Sequence, residues 1–371
     1  MTLRPFGHFF LPGPTDVRPE VLQGMVRGML PHRGAEFEAL FARLVAGLQG
    51  VFRTSRPVFI SSSSATGLME AAVRATPPGR VLSVVNGAFS ERFARIARAC
   101  GRETEVLEVE WGRGADPARV REALRAHRFA AVTVVHSESS TGALTDVRTI
   151  SDLAHEAGAA CLVDSVTGIG ATPVETDAWG LDFVLTGSQK ALALPPGLAF
   201  GVASAAFIER ATRGEQRGVY FDLAEFEEYA RRNQTPNTPA LPLLYALDAQ
   251  LPRIAAEGVE ARWARHAAMA ARMHAWVAET ATVIGAPLAI LAPAGERSHT
   301  VSAVRLPEGI AGDAVVRGAA ARGYVIGDGY GRLKGSTFRV GHMGDHTLET
   351  LEGCLAACGE ALAELRGVSG R

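Results

Sequence analysis

The sequence predicts an α/β fold, with a large doubly wound domain on a mostly parallel sheet and a smaller C-terminal α+β domain. Three observations support this. Short, almost continuously apolar runs, typical of strands buried on both faces, alternate with amphipathic helical stretches through the first two-thirds of the chain. After about residue 241 this alternation is replaced by long helices and a few further strands. A length of 371 residues with 47% hydrophobic side chains allows two or three domains.

The first part of the chain supplies the strands and helices of the large domain in regular order. The apolar runs predicted as strands are Val58–Ile60, Val81–Val85, Ala131–Val135, Ala160–Val163 and Phe183–Leu185. Helical patterns lie between them at Phe89–Cys100, Asp116–His127 and Val147–Ala157. Asp116 followed by Pro117 is typical of a helix cap with proline at the first helical position. This βαβα order predicts a doubly wound sheet.

The last part of the chain has a different pattern. Long helices are predicted between Leu241 and Ala281, with a break at Gly258. The elements predicted after them are the strands Val301–Leu306 and Thr337–Gly341 and the helices Gly312–Arg322 and Leu348–Leu365. We therefore expect an N-terminal arm at residues 1–17, a large domain at 18–257 and a small domain at 258–371.

Composition argues against several classes of partner. The chain has 38 basic and 39 acidic residues and no lysine- or arginine-rich tract, so we expect no nucleic-acid partner. No apolar stretch of signal-peptide type occurs at the N-terminus. The longest uncharged run, residues 191–208, contains Pro195, Pro196 and Gly197, which predicts a loop and a buried strand and not a membrane span.

The four cysteines are too few and too scattered for a disulfide framework. Cys354 and Cys358 lie one turn apart in an Ala/Leu-rich helix, and no further ligands with suitable spacing lie nearby, so we expect packing and no metal site. Together with the absence of a signal peptide pattern, this favours a cytoplasmic protein.

Polar residues follow the predicted strands at their carboxyl ends, where ligands bind in open α/β sheets. The run Ser61–Gly67 follows Val58–Ile60 and begins a helix. Such a start offers backbone N–H groups, hydroxyls and the positive end of the helix dipole to a phosphate. A solvated serine-rich loop would have the same sequence, so this feature is not decisive by itself.

A carboxylate and an amine follow two other strands. Asp164 comes directly after an apolar strand, where it can cap a loop, bind a metal or pair with a ligand cation. Lys190 lies in a Gly/Ser loop before an apolar segment. It is either a solvated lysine or an amine whose pKa is lowered enough to form a Schiff base. A phosphate cradle, a partner for a ring nitrogen and a covalent anchor are together what pyridoxal phosphate requires.

Six ordered motifs then carry a resemblance that runs through nearly the whole chain. They are Leu11–Thr15, His136–Gly142, Val163–Val166, Gly187–Lys190, Thr238-Pro239 with Leu244–Leu247, and Phe338–Gly344. With these motifs the sequence resembles the class V aminotransferases of fold type I, in particular the alanine–glyoxylate and serine–pyruvate aminotransferases. The resemblance implies pyridoxal 5′-phosphate as cofactor and a homodimer.

The resemblance also implies a role for each matched position. Lys190 would hold the cofactor as a Schiff base, and Asp164 would pair with its ring nitrogen. Arg339 would grip the substrate carboxylate with two parallel hydrogen bonds, and Gly13 would lie beside the substrate. The other implied cofactor contacts are Ser64, Ala65, Thr66 and Gln189 at the phosphate, Ser139 near the ring hydroxyl, and Asn237 and Thr238 at the phosphate of the neighbouring subunit.

Two positions depart from the family pattern. Phe89 occupies the position where members often have a tryptophan over the cofactor ring, and it can still stack there. Thr235 stands where other members have a tyrosine near the neighbour's phosphate.

Several other conspicuous side chains have ordinary structural interpretations. We expect the histidines 136 and 342 to be loop or strand-end residues that hydrogen-bond to backbone. Tyr324, Tyr330 and Trp263 are expected in the core or at an interface. The pair His32-Arg33 could line the site entrance or cap the preceding helix.

The function implied by the resemblance is ping-pong transfer of an amino group from alanine or serine to glyoxylate or pyruvate. A related enzyme acting on 2-aminoethylphosphonate or ureidoglycine would share the same cofactor motifs. A cysteine desulfurase would need a cysteine on the loop before the substrate arginine, and residues 327–334 contain none. A non-catalytic pyridoxal-phosphate-binding protein would need an attached regulatory module, and no basic helix-turn-helix pattern is present.

Overall fold

The computed structural model describes residues 5–213 and 217–367. Its strands are β1 (Phe9–Phe10), β2 (Val58–Ser61), β3 (Val81–Val85), β4 (Thr104–Glu108), β5 (Ala131–Val135), β6 (Ser137–Glu138), β7 (Ala143–Leu144), β8 (Ala160–Asp164), β9 (Phe183–Gly187), β10 (Ala199–Ala203), β11 (Ala289–Ile290), β12 (Val301–Arg305), β13 (Val325–Asp328) and β14 (Thr337–Gly341). Its α-helices are α1 (Pro19–Gly24), α2 (Ala35–Phe52), α3 (Ala65–Ala75), α4 (Ala88–Ala99), α5 (Pro117–Ala126), α6 (Val147–Glu156), α7 (Ala205–Thr212), α8 (Leu223–Ala230), α9 (Leu241–Glu257), α10 (Val259–Ile284), α11 (Gly312–Ala321) and α12 (Leu348–Leu365).

The large sheet has seven strands in the order β2-β10-β9-β8-β5-β3-β4. Six of them run in one direction, and β10 is antiparallel to both of its neighbours. Successive side chains of one strand enter the cores on opposite faces: Leu162 packs on one side and Val163 on the other. Because helices cover both faces, the strands are apolar throughout, and the predicted doubly wound, mostly parallel sheet is confirmed.

Most predicted elements of the large domain lie within a few residues of their expected bounds. Asp116 caps α5 by accepting a hydrogen bond from the Ala118 N–H at 2.9 Å, with Pro117 at the first position. The strand β4 and the helices α2, α7 and α8 were not predicted from the sequence. β4 is an edge strand whose only apolar residues are Val106 and Leu107, so it has no continuous apolar run.

The smaller sheet has five strands in the order β1-β13-β14-β12-β11. Its first strand comes from the N-terminal arm, since Phe9 and Phe10 pair in parallel with Val325 and Ile326. The break predicted at Gly258 separates α9 from α10. The domain boundaries after residues 17 and 257 stay predictions.

The core of the smaller unit contains Cys354 and Cys358, which are fully buried in α12 as free thiols. Their predicted packing role is confirmed. Among the described residues, no group of three or more His, Cys, Asp or Glu side chains is placed to hold a metal ion. No helix in the described ranges combines the length and the hydropathy that crossing a membrane requires.

Candidate active site

The candidate site lies at the carboxyl edge of the large sheet, where β2, β8 and β9 all end because they run in the same direction. A cavity of about 460 Å³ opens there. Nine of the twelve side chains or backbone positions predicted for the site line this cavity: Gly13, Ser64, Ala65, Thr66, Phe89, Ser139, Asp164, Gln189 and Lys190. Residues separated by almost 180 positions in the sequence are therefore brought to one place.

The start of α3 forms one wall of the cavity. Ser64 is the N-cap residue, and its side chain makes no capping hydrogen bond to the helix. Ala65 and Thr66 follow in the first turn and also line the cavity. A helix start with N–H groups and free hydroxyls directed at a cavity is suited to bind an anion.

Asp164 is the last residue of β8 and is 2% exposed. Its Oδ1 accepts a hydrogen bond from the Val166 N–H at 2.8 Å. Burial raises the pKa of this carboxyl to about 7, Glu138 also raises it, and the Val166 hydrogen bond and the charges of Lys190 and Arg92 partly offset the rise. No basic side chain in the described part of the chain pairs with Asp164 within 4 Å, so its ionised form would be stabilised by a ligand cation.

Lys190 follows β9 and is 7% exposed. Its Nζ donates a hydrogen bond to the carbonyl oxygen of Pro12. Gly13 has a φ of +118°, and a Cβ at this position would overlap the Lys190 side chain, so only glycine fits beside the amine. Burial, followed by the charge of Arg339, lowers the pKa of Lys190 to about 8, although Asp164 and Glu138 act in the opposite direction.

An aromatic stack closes another side of the cavity. The Phe89 ring stacks on Tyr330 with centroids 5.5 Å apart, and the Lys190 Nζ lies 5.9 Å from the Phe89 centroid. Phe89 is the second residue of α4, and Glu138 holds this helix start by accepting hydrogen bonds from the N–H groups of Phe89 and Ser90 at 3.2 and 3.0 Å. Phe89 is thus positioned to cover a planar ligand beside the amine.

Arg339 lies on β14 behind the rim of the cavity and is 8% exposed. Its Nε donates to the Asp328 carbonyl and its Nη1 to the Ser139 carbonyl, both at 2.9 Å. Within the described ranges no carboxylate lies within 4 Å of the guanidinium and no acceptor is bonded to Nη2. The guanidinium also lies over the Tyr330 ring, 5.3 Å from its centroid. A buried cation whose hydrogen-bond acceptors are neutral carbonyls is well suited to receive an anion.

Gln189 also lines the cavity, and its side-chain carbonyl is buried with no hydrogen-bond partner in the part of the chain described. A buried polar group without a partner is unfavourable unless a ligand or water binds it. Its own backbone carbonyl accepts a hydrogen bond from the Thr15 N–H at 2.9 Å, which ties the N-terminal arm to the loop of Lys190.

Asn237 and Thr238 do not reach the cavity of their own chain. They line a separate surface pocket together with Ser62. Arg33 holds the segment before them by donating to the carbonyls of Thr235 and Pro236 at 2.8 and 3.1 Å. Arg33, whose place the sequence left open, thus contacts this loop and is not among the residues that line the cavity.

Three further residues at the site were given no role by the sequence analysis. Glu138 is fully buried and holds the start of α4, and Arg92 lines the cavity 4.9 Å from the Phe89 centroid. Tyr330 was expected in the core or at an interface, but it is 38% exposed and lines the cavity. The only available signals were that Glu138 precedes Ser139 in its motif and that Arg92 lies about one helical turn after Phe89.

The two histidines expected to bond to backbone each also have a serine hydroxyl as a partner. His136 Nδ1 lies 2.9 Å from the Ser165 Oγ, and His342 Nε2 lies 2.9 Å from the Ser302 Oγ. Both rings are buried, and burial lowers the pKa of His136 to about 4 and that of His342 to about 3. Neither residue lines the cavity, since the strand ends direct both rings into the protein interior.

The cavity thus combines an anion-binding helix start, a buried carboxylate without a cationic partner and a buried amine of lowered pKa. A neutral amine is the nucleophilic form of lysine, and a pKa near 8 makes that form accessible near neutral pH. Such a set can bind one molecule at three points: an anionic group at the helix start, a cationic group at the carboxylate and an aldehyde at the amine.

Comparison with known proteins gives matches over nearly the whole chain. The family model for class V aminotransferases matches residues 24–305. The serine–glyoxylate aminotransferase of Methylorubrum extorquens is 34% identical over 96% of this chain and 91% of the relative. Among solved structures, an alanine–glyoxylate aminotransferase from Nostoc sp. superimposes with a TM-score of 0.89 at 30% identity, covering 98% of both chains. The ureidoglycine–glyoxylate aminotransferase of Bacillus subtilis gives a TM-score of 0.90 at 27% identity, covering 98% of this chain and 94% of that one.

Proposed function

The chain belongs to the class V aminotransferase family, and on that basis we propose a pyridoxal-phosphate-dependent transfer of the amino group from alanine or serine to glyoxylate or pyruvate. The observation that carries this proposal is that Lys190, Asp164 and the start of α3 line one cavity. Glyoxylate recurs in the names of all three relatives, whereas their amino donors differ. The comparisons therefore support the acceptor more strongly than the donor.

The residues of the cavity fit pyridoxal phosphate. The Ser64 hydroxyl, which is not used for capping, and the first-turn N–H groups of α3 would hold the phosphate, with help from Gln189. The Asp164 carboxylate would pair with the ring nitrogen, and Phe89 would cover the ring. A volume of about 460 Å³ leaves room for a cofactor and a small substrate together.

Bound pyridoxal phosphate would supply an aldehyde for the incoming amino group and a ring that accepts electrons from the substrate Cα. The chain's own residues would provide the proton chemistry and the orientation. Lys190 would anchor the cofactor and, once displaced by the substrate amine, would take the proton from the substrate Cα. The Asp164 carboxylate would keep a proton on the ring nitrogen, because a buried negative charge stabilises an adjacent protonated nitrogen.

Arg339 would bind the substrate carboxylate. Its Nε and Nη1 are bonded to backbone carbonyls, one of them that of the cavity-lining Ser139, which fixes the plane of the guanidinium. A fixed guanidinium orients a carboxylate as well as attracting it, and this would align the Cα–H bond toward Lys190. The ping-pong order follows, because the first oxo acid has to leave this position before the second binds.

Two experiments test the proposal. Lys190 and Lys334 are the two lysines of the chain, so borohydride reduction of the cofactor-bound protein and peptide mapping distinguish them cleanly. We expect the cofactor on Lys190, and attachment to Lys334 would contradict the proposal. The purified holoenzyme is then mixed with single amino donors while the cofactor absorbance is followed, and Lys190→Arg serves as the inactive control.

Alanine and serine should convert the cofactor to its amino form, and glyoxylate should restore it. Conversion by 2-aminoethylphosphonate or ureidoglycine, with none by alanine or serine, would replace the proposed donor by the corresponding alternative. Conversion by none of these amines would contradict an aminotransferase that uses small donors.

A further inference from the structure

The backbone that follows Lys190 is held by side chains from distant helices. The Arg262 Nη2, on α10, donates to the Ala191 carbonyl at 2.7 Å. The Gln250 Nε2, on α9, donates to the Leu192 carbonyl at 3.1 Å. The position of the amine in the cavity therefore depends on two side chains that do not themselves line it.

Both donors are bound in turn by Asp345, in the loop between β14 and α12. The Arg262 Nη2 lies 2.9 Å from the Asp345 Oδ1, and the Gln250 Nε2 lies 3.1 Å from the Oδ2. Arg262 is 2% exposed, Gln250 fully buried and Asp345 7% exposed. Burial would raise the pKa of Asp345, but the charge and hydrogen bond of Arg262 and the hydrogen bond of Gln250 hold that pKa below its ordinary value.

The N-terminal arm joins the same network. The Arg18 Nε lies 3.4 Å from the Asp345 Oδ2, and the Arg18 Nη2 donates to the Asp345 carbonyl at 3.3 Å. A few residues earlier in the arm, the Pro12 carbonyl accepts from the Lys190 Nζ, and the Thr15 N–H donates to the Gln189 carbonyl. Pro12 and Thr15 of the arm thus contact the amine and its loop, and Arg18, directly after the arm, contacts Asp345.

We propose that Asp345 is a positioning residue for Lys190, acting through Arg262 and Gln250 to keep the amine buried at the edge of the large sheet. This inference rests on the role of Lys190 in the proposed function. Asp345 lies in the segment that follows β14, and β14 itself carries Arg339. The network therefore links the element that would bind substrate to the loop that carries the amine.

The sign of one measurement separates positioning from a direct charge effect. Lys190 has a lowered pKa chiefly because it is buried, so a loosened loop that admits water raises this pKa. Removing the negative charge of Asp345 acts directly in the other direction, because it leaves the neighbouring arginines less compensated. A rise in the Lys190 pKa after Asp345→Asn is therefore explained by loosening and not by charge.

The test uses the full-length chain freed of cofactor and labelled with a trace of acetic anhydride between pH 6 and 11, with peptide mapping. The exposed Lys334 is an internal reference in every sample. In the parent protein the labelling midpoint of Lys190 should lie at about 8. In Asp345→Asn it should rise by about one pH unit, while the midpoint of Lys334 stays unchanged.

Asp182→Asn is the matched control. Asp182 is 4% exposed and pairs with Arg210 at 3.0 Å, but it lies at the amino end of β9, the opposite edge of the sheet. This variant should lose stability without moving the Lys190 midpoint. An equal shift in Asp182→Asn would show that any loss of stability exposes the amine, and it would overturn the proposal.

Gln250→Leu covers the case in which Asp345→Asn does not fold. It removes the tether to Leu192 while the Arg262–Asp345 ion pair stays in place, and it should raise the Lys190 midpoint by a smaller amount. An unchanged or lowered midpoint in either folded variant overturns the positioning role. The proposed function fails separately, if borohydride reduction does not place the cofactor on Lys190.

Discussion

At the scale of single residues, the cavity brings together an acid and a base whose charged forms are both made less stable by burial. Burial moves the pKa of Lys190 down from 10.5 to about 8 and that of Asp164 up from 3.8 to about 7. Both groups therefore titrate near neutral pH. A neutral amine can attack an aldehyde, and a buried carboxylate without a cationic partner gains most from a ligand that brings one.

Asp164→Asn should keep the cofactor but lower the rate of amino transfer, because an amide cannot hold a proton on the ring nitrogen by charge. A hydrogen bond to a charged group is worth about 1.5–3 kcal/mol, so the rate should fall roughly 10- to 150-fold. The measurement is the single-turnover rate with alanine. Asp182→Asn, which removes a buried carboxylate elsewhere, should leave this rate close to that of the parent. A near-normal rate in Asp164→Asn would rule out the assigned role.

Arg339→Lys should weaken substrates that carry a carboxylate, because an ammonium group cannot form two parallel hydrogen bonds. Loss of the contact should lower kcat/KM for alanine by an amount equivalent to roughly 2–5 kcal/mol. Ethylamine, which lacks the carboxylate, is the comparison substrate, and its kcat/KM should change little. Arg332→Lys changes an exposed arginine nearby on the chain and should leave kcat/KM unchanged for both substrates. Equal losses for alanine and ethylamine would show that Arg339 does not bind the carboxylate.

At the scale of secondary structure elements, two helix starts with the same residue type have different tasks. Ser64 begins α3 without a capping hydrogen bond, and its hydroxyl is free at the cavity. Ser204 begins α7, and its hydroxyl accepts from the Phe207 N–H at 3.1 Å. The two serines thus provide a direct comparison between a ligand-binding and a structural N-cap.

Ser64→Ala should weaken cofactor binding and change the free energy of unfolding of the cofactor-free protein little. Ser204→Ala should do the reverse and cost about 1 kcal/mol, because its capping bond is lost. Cofactor affinity from fluorescence titration and unfolding in urea give the two quantities. If Ser64→Ala destabilises the protein without changing cofactor affinity, its hydroxyl is structural.

At the scale of the whole molecule, we predict that the segment with Asn237 and Thr238 contacts a second copy of the chain. These residues line a surface pocket away from their own cavity, and Arg33 holds the two residues before them. If they complete the phosphate site of a neighbour, the active unit is a homodimer. Sedimentation of the holoenzyme at assay concentrations should give a species of twice the chain mass. An active monomer under the same conditions would contradict the shared site.

Acid should destabilise the whole fold through its buried histidines. Burial lowers the pKa of His342 to about 3 and the pKa values of His136 and His346 to about 4. An unfolded histidine has a pKa near 6.5, so below that pH the unfolded state binds more protons than the folded state. The stability contributed by these histidines is therefore fully present above about pH 6.5 and decreases as the pH falls toward 4.

Each such histidine should contribute a slope of roughly 1.4 kcal/mol per pH unit within that window. Urea unfolding between pH 7 and 5 measures the slope. His342→Gln should reduce it by about the share of one histidine, whereas His127→Gln, at a half-exposed position, should not change it. An identical slope in His342→Gln and the parent would show that this ring is not protonated on unfolding.

Much of the fold could be predicted from the sequence because burial leaves a local pattern. The strands Val81–Val85 and Ala131–Val135 are apolar along their whole length, and this pattern requires cover on both faces. Asp164 and Lys190 could be proposed for the site because Asp164 directly follows one such predicted strand and Lys190 lies a few residues after another. Carboxyl ends of parallel strands meet at one edge, so their proximity follows once the fold class is known.

The tertiary structure alone decided which other side chains meet at that edge. Glu138, Arg92 and Tyr330 come from a hairpin, a helix face and a glycine-rich loop, and no local pattern marks them as neighbours. The antiparallel direction of β10 and the pairing of Phe9 with Val325 were likewise invisible in the sequence. Hydrophobic periodicity reports how deeply a residue is buried, whereas the direction, order and partners of strands depend on contacts between residues far apart in the chain.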